Sequence, residues 1–209
     1  MHGRNRLAAI LAGAALVGIA GCGAGSPQVF RPAGHAQPAA QTDTLKTHAT
    51  AAPGGFRFPP GVAIEFSSPL PANADRRAIV TGYQDYVLSL WAGVLSHGSD
   101  AAYRRLASGN AQDFIRREIT FFAHRGIQGS IRYSQTTVSA VYFGNGATVT
   151  SCVDASGFNL TPAGAGPVFP PKYAHYLEKV AEGRRPDGTW AVAHTESFPA
   201  STSEGAMCR

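Results

Sequence analysis

Residues Gly126–Asp154 read GIQGSIRYSQTTVSAVYFGNGATVTSCVD, and the period of this stretch decides the fold. Ile131, Tyr133, Thr137, Val138, Val141 and Phe143 stand in a run rich in β-branched and aromatic residues, the composition of a pleated, half-buried surface rather than of a helix. Gly144-Asn145-Gly146 reaches positive φ cheaply, so a hairpin turn is expected there, with Ala147–Asp154 returning as a strand through Val149, Cys152 and Val153. Upstream the period is different. Ile79, Tyr83, Tyr86, Val87, Leu90, Trp91, Val94 and Leu95 recur at helical spacing, which predicts a long amphipathic helix with an aromatic buried face. Asn73 or Asp75 can cap its start, and Gly98 can supply a left-handed residue near its end. Ser99 is expected to cap a short helix carrying Tyr103 and Leu106, ended by Gly109. Asn110 is expected to cap a third, with Phe114, Ile115, Ile119 and Phe122 on one side and Gly126 as its stop.

Downstream, residues 154–171 are rich in glycine and proline and read as a long loop. Phe158, Val168, Phe169 and Tyr173 either pack down on the sheet or form a cavity lid or partner-binding edge. Residues 173–185 form the next predicted strand, Pro186-Asp187-Gly188 turns it, and residues 189–198 return with Trp190 and Val192. Val62–Phe66 alternates as a short strand before the break at Pro69 and Pro71. Helices followed by a meander of strands make an α+β domain, its helical layer packed on one curved antiparallel sheet.

The N-terminus carries an address. Arg4 and Arg6 precede an uncharged run from Leu7 to Gly21, the order of a secretory signal. That run is shorter than the roughly 20 residues a spanning helix needs. It ends in Ile19-Ala20-Gly21-Cys22. This pattern resembles the lipobox of bacterial lipoproteins, in which the signal is cut before a cysteine whose thiol receives a diacylglyceryl group. The resemblance makes 1–21 a signal peptide, Cys22 the lipidation site, and the extracytoplasmic face of the cell membrane the location, with the bilayer as one partner through a palmitate-type lipid anchor. Two acyl chains, at about 0.8 kcal/mol per buried methylene, hold stably where one does not. Residues 22–60 form the lipidated cysteine and a disordered tether of Ala, Gly, Pro, Gln, Thr and Ser, and 61–209 the folded domain. Such a tether holds the domain on the order of 35 Å from the bilayer.

The formal net charge of +5 falls to +3 once Arg4 and Arg6 leave with the signal. The remaining Arg pairs, at 76/77, 104/105, 116/117 and 184/185, are scattered over different elements, so no concentrated basic face for nucleic acid is expected. With Cys22 lipidated, Cys152 and Cys208 remain as an even pair in an oxidising setting and are expected to be joined. The bridge would close a loop of about 57 residues and stabilise by about 4 kcal/mol in the chain-entropy account.

The order of elements, with Asp187-Gly188-Thr189-Trp190 closing the last hairpin, resembles the NTF2-like superfamily, which includes SnoaL-like cyclases and ketosteroid-isomerase relatives. The likeness spans roughly residues 73–198. More narrowly, Cys22, residues 60–66, Cys152-Val153-Asp154, the Asp187–Trp190 turn and Cys208 resemble small lipoproteins of high-GC actinobacteria. The superfamily implies a cone with a cavity between the long helix and the sheet, for which Tyr83, Tyr86, Trp91 and Phe122 are the expected lining. It also implies a homodimer through the open sheet face, as in many relatives.

The residues themselves offer little fixed chemistry. Asp85, His175 and His194 are candidates for acid–base work, but the helical angle sets Asp85 towards the polar side, and both histidines lie on the last strands as surface groups. The seven histidines show no ligand spacing, and neither a GxSxG elbow nor a phosphate-cradling glycine loop occurs, so no metal or cofactor is expected. Sequence alone therefore favours a non-catalytic module binding an envelope protein or a small apolar ligand, with a SnoaL-like or isomerase-like enzyme as the alternative. A buried, inward carboxylate or histidine beside a tyrosine hydroxyl is what would turn the choice to the enzyme.

Overall fold

A computed structural model describes residues 55–162 and 165–208. Within them β1 (Val62–Phe66) leads into α1 (Ala74–Leu95), α2 (Tyr103–Leu106) and α3 (Gly109–Phe122). There follow β2 (Gly126–Tyr142), β3 (Gly146–Asp154), β4 (Phe158–Thr161), β5 (His175–Arg184) and β6 (Trp190–Pro199), and a closing 3-10 turn at Gly205–Cys208. The strands form one sheet in the order β1-β2-β3-β5-β6, with β4 also paired to β2. All pairings are antiparallel except β1 with β2, where Ile64 lies opposite Ile131. This is an α+β domain with three helices on a curved, unclosed sheet.

Helix α1 is held where the sequence begins it. Asn73 accepts the Arg76 N–H through its side chain at 2.9 Å, satisfying one of the free amides of the first turn. Beyond its end Gly98 sits at φ +86°, its N–H returning to the Gly93 carbonyl. The helix is buried on more than one side, from Ile79 to Val94, because the sheet covers one flank and α2 and α3 cover another. Gly82 permits the closest approach: a Cβ there would stand 2.6 Å from the Cβ of Trp190.

Several expectations need correction. Ser99 does not cap α2; the Asp100 carboxylate accepts the Ala102 N–H instead. Asn110 does not cap α3, whose N-cap is Ser108, because its side chain is engaged across the fold by the Thr195 N–H at 2.9 Å. Helix α3 stops at Phe122, and Gly126 opens β2 directly. The loop expected at 154–171 contains β4, whose Phe158 is fully buried and packs edge-on to Trp91 with centroids 4.9 Å apart. Tyr173 lies in a 3-10 turn, and β5 begins only at His175. Phe56 and Phe58, placed in the tether by composition, pack against the core. The part of the tether at 22–54, together with the signal peptide and Cys22, lies outside the described residues.

Cys152 and Cys208 form the expected disulfide, with Cα atoms 5.2 Å apart. It fastens the closing turn to the sheet face turned away from the helices, since Cys152 pairs with Leu177 while its neighbours Ser151 and Val153 point to the helical side.

Candidate functional site

Strand alternation builds the site. On β5, Tyr176, Glu178, Val180 and Glu182 share the face turned to the helices, since side chains two apart lie on the same side of a sheet. The register sets Glu178 between Ser151 of β3 and Ser197 of β6, and Tyr176 between Val153 and Pro199. Above this face lies a cavity of about 310 Å³. Leu90 and Trp91 of α1 and Phe114 and Glu118 of α3 form its helical wall. The sheet supplies Tyr133, Tyr176, Glu178 and Ser197, and the segment between β4 and β5 closes one side with Phe169 and Tyr173.

Of the four residues expected to line it, Trp91 does so, and its indole N–H donates to the Tyr133 hydroxyl at 3.0 Å. Tyr83, Tyr86 and Phe122 do not. All three are fully buried in the packed core: Tyr83 and Tyr86 because α1 lies so close to the sheet that its inward side chains fill the space there, and Phe122 at the end of α3. Tyr83 nevertheless acts on the cavity through a neighbour: its hydroxyl donates to Glu178 Oε2 at 2.5 Å.

Glu178 is only 5% exposed. Burial disfavours its charged form and pushes its pKa up to about 7, against the downward pull of hydrogen bonds from the Tyr83 and Thr195 hydroxyls. Glu118, on the helical wall, is also raised by burial, with the Arg117 guanidinium pulling the other way. Burial raises the Tyr133 and Tyr176 hydroxyls well above the ordinary value, so both stay protonated as donors at neutral pH. The cavity thus joins a carboxyl poised near neutrality to neutral hydroxyls on an aromatic wall, an arrangement able to exchange a proton with a bound molecule.

The other candidates lie elsewhere. Asp85 is half-buried on α1 and is not part of the cavity wall. His175 is exposed and faces Asp154 at 3.5 Å, and His194 is exposed beside Glu196 at 3.2 Å. Glu178 was missed because β5 reads as Tyr-Leu-Glu-Lys-Val-Ala-Glu, with charged and apolar residues on both faces. The available signal was the alternation of Glu178 with Tyr176 and Val180, which sets the acid on the aromatic side.

Fold and site together define an α+β domain that holds an acid-bearing aromatic cavity between its helices and its sheet. No protein-family model matches the chain, and no curated protein matches it either. Among solved structures it is similar to a protein of Shewanella frigidimarina NCIMB 400 proposed to be a ketosteroid isomerase, at 14% identity and TM-score 0.32, over 56% of this chain and 94% of that one. It is also similar to the intermembrane space region of the chloroplast protein ARC6, at 12% identity and TM-score 0.37, over 62% of this chain and 99% of that one. At these scores neither likeness bears on what the cavity binds.

Proposed function

We propose that this chain is a lipid-anchored extracytoplasmic protein, held at Cys22, whose domain admits a small, largely apolar molecule to the cavity and exchanges a proton with it through Glu178. The reaction class is proton transfer, as in isomerisation or dehydration. The observation that carries the reading is the buried Glu178 with the Tyr83 hydroxyl upon it, on the wall of an aromatic cavity. A site for apolar binding alone has no need of an acid whose pKa is about 7, whereas acid–base work is most efficient with a group near the operating pH. In one direction the Glu178 carboxylate takes a proton from the bound molecule, and in the other the carboxylic acid returns it. Tyr133 and Tyr176 are available to donate to the charge that develops on the substrate.

Hydrogen–deuterium exchange at the α-carbon of 2-tetralone in D2O, followed by NMR, tests the chemistry. The protein should exchange it faster than buffer and the Glu178→Gln variant should not; exchange at the buffer rate with the unaltered protein would reject the catalytic role. The predominantly aromatic and aliphatic wall favours a second reading, a non-catalytic carrier, which stands if the ketone binds without exchanging. The anchor is tested separately: Cys22→Ala should move the protein out of the membrane fraction, and tight membrane association of that variant would sink it.

A further inference from the structure

The charges on the cavity wall narrow the ligand, on the footing that the cavity is a small-molecule site. Among the described residues its lining contains two carboxyl groups, those of Glu118 and Glu178, and no Lys, Arg or His. Both act electrostatically on the Tyr176 hydroxyl, which sets them about one ring. Glu178 is bonded by the neutral Tyr83 hydroxyl, and Glu118 makes no ion pair among the described residues. Arg117, which acts on Glu118, is exposed and does not line the cavity. The remaining wall offers aromatic faces, the negative part of a ring quadrupole. The rim already carries one such contact, the Lys172 ammonium standing 4.6 Å from the centre of the Tyr173 ring.

A half-enclosed space with acids, ring faces and, among the described residues, no cation on its wall repels anions, and a neutral molecule filling it leaves Glu118 with only the exposed Arg117 as counter-charge. We infer that the cavity takes an apolar molecule bearing a protonated amine, its ammonium seated between Glu118 and the aromatic wall. The two acids then divide the work. Glu118 on α3 supplies the counter-charge, and Glu178 on the sheet remains free for the proton. Burial, which by itself disfavours the Glu118 carboxylate, is offset once a cation is brought to it.

Three molecules on one ring skeleton test this by calorimetry on the full chain with its disulfide intact: 2-aminotetralin, 2-tetralol and tetralin-2-carboxylate. At about pH 8 the amine is charged and should bind about tenfold more tightly than the alcohol, with the carboxylate weakest. Glu118→Gln should bring the amine down to the affinity of the alcohol, and Glu118→Asp, which keeps the charge, should retain the preference. Equal binding of amine and alcohol by the unaltered protein, or a preference that Glu118→Gln leaves intact, overturns the inference while the cavity remains a ligand site. Failure of all three to bind overturns both.

Discussion

Glu182, on the same face of β5 two residues beyond Val180 and four beyond Glu178, provides the sharpest test of how this domain is held together. It is 4% exposed, and neither carboxyl oxygen has a hydrogen-bond partner among the described residues. Burial alone pushes its pKa from the ordinary 4.5 up to about 9. Between those values the folded chain keeps the proton and the unfolded chain has lost it, so stability is fully present below about pH 4.5 and falls as pH rises towards 9. From pH 5 to pH 8 the loss from this group alone is about 4 kcal/mol, at about 1.4 kcal/mol for each pH unit climbed between the two values. Glu178, raised to about 7, adds about 2.5 kcal/mol over the same interval. Glu182→Met removes the larger part without breaking a bond among the described residues, and should raise the unfolding free energy at pH 8 by roughly 5 kcal/mol. Glu182→Gln should flatten the pH dependence equally but gain less, since it leaves an unpartnered amide in the same place. Urea unfolding between pH 5 and 8 reads this out through the fluorescence of Trp91 and Trp190, both core residues. A Glu182→Met variant that keeps the steep loss of stability towards pH 8 would show that the carboxyl is ionised in the folded chain, and would refute a Glu182 held neutral by burial.

Three further outcomes follow from particular contacts. Gly82→Ala, although alanine is ordinarily the better helix former, should destabilise by about 1–3 kcal/mol in the same urea assay, because its Cβ would press on Trp190; a neutral or stabilising result would mean that α1 and β6 are less closely packed. Replacing Cys152 and Cys208 together by serine should cost about 4 kcal/mol, and intact-mass analysis of the unaltered protein should find neither thiol free. Tyr83→Phe removes a hydrogen bond that holds Glu178 down, so the midpoint of the pH profile for ketone exchange should move above about 7; an unchanged midpoint would dissociate Glu178 from the profile.

The fold class was legible because α3 carries a strong helical repeat, α1 a long run of apolar residues without a strand's alternation, and the turns of the β2–β3 and β5–β6 hairpins stand where their turn residues are. What escaped was set by tertiary partners. Asn110 has the side chain of a helix cap, but the chain returns at β6 and the Thr195 amide claims it. Four residues of β4 are too few to show a period amid glycine and proline, and only pairing with β2 at Gly126–Gly129 makes them a strand. The cavity lining failed for a geometric reason. Tyr83 and Trp91 are both inward on α1, yet eight residues of helix separate them by about 12 Å, so one meets the closely packed sheet and the other the open end.

The two buried acids of β5 are not equivalent, and the difference bears directly on function. At pH 7 keeping Glu178 in place costs about 3 kcal/mol of stability, a large share of what a domain of this size possesses. It is bonded to Tyr83 and opens onto the cavity, so the cost is attached to a group that a ligand can reach. Glu182 shares the strand face but neither lines the cavity nor has a partner among the described residues. Removing the two acids should therefore separate stability from function. Glu182→Met should stabilise the domain and leave ketone exchange and amine binding as they were, whereas Glu178→Gln should remove its own smaller pH-dependent loss and abolish exchange. Were Glu182→Met to abolish exchange too, the acid–base role would have to be shared along β5, and the assignment to Glu178 alone would be wrong.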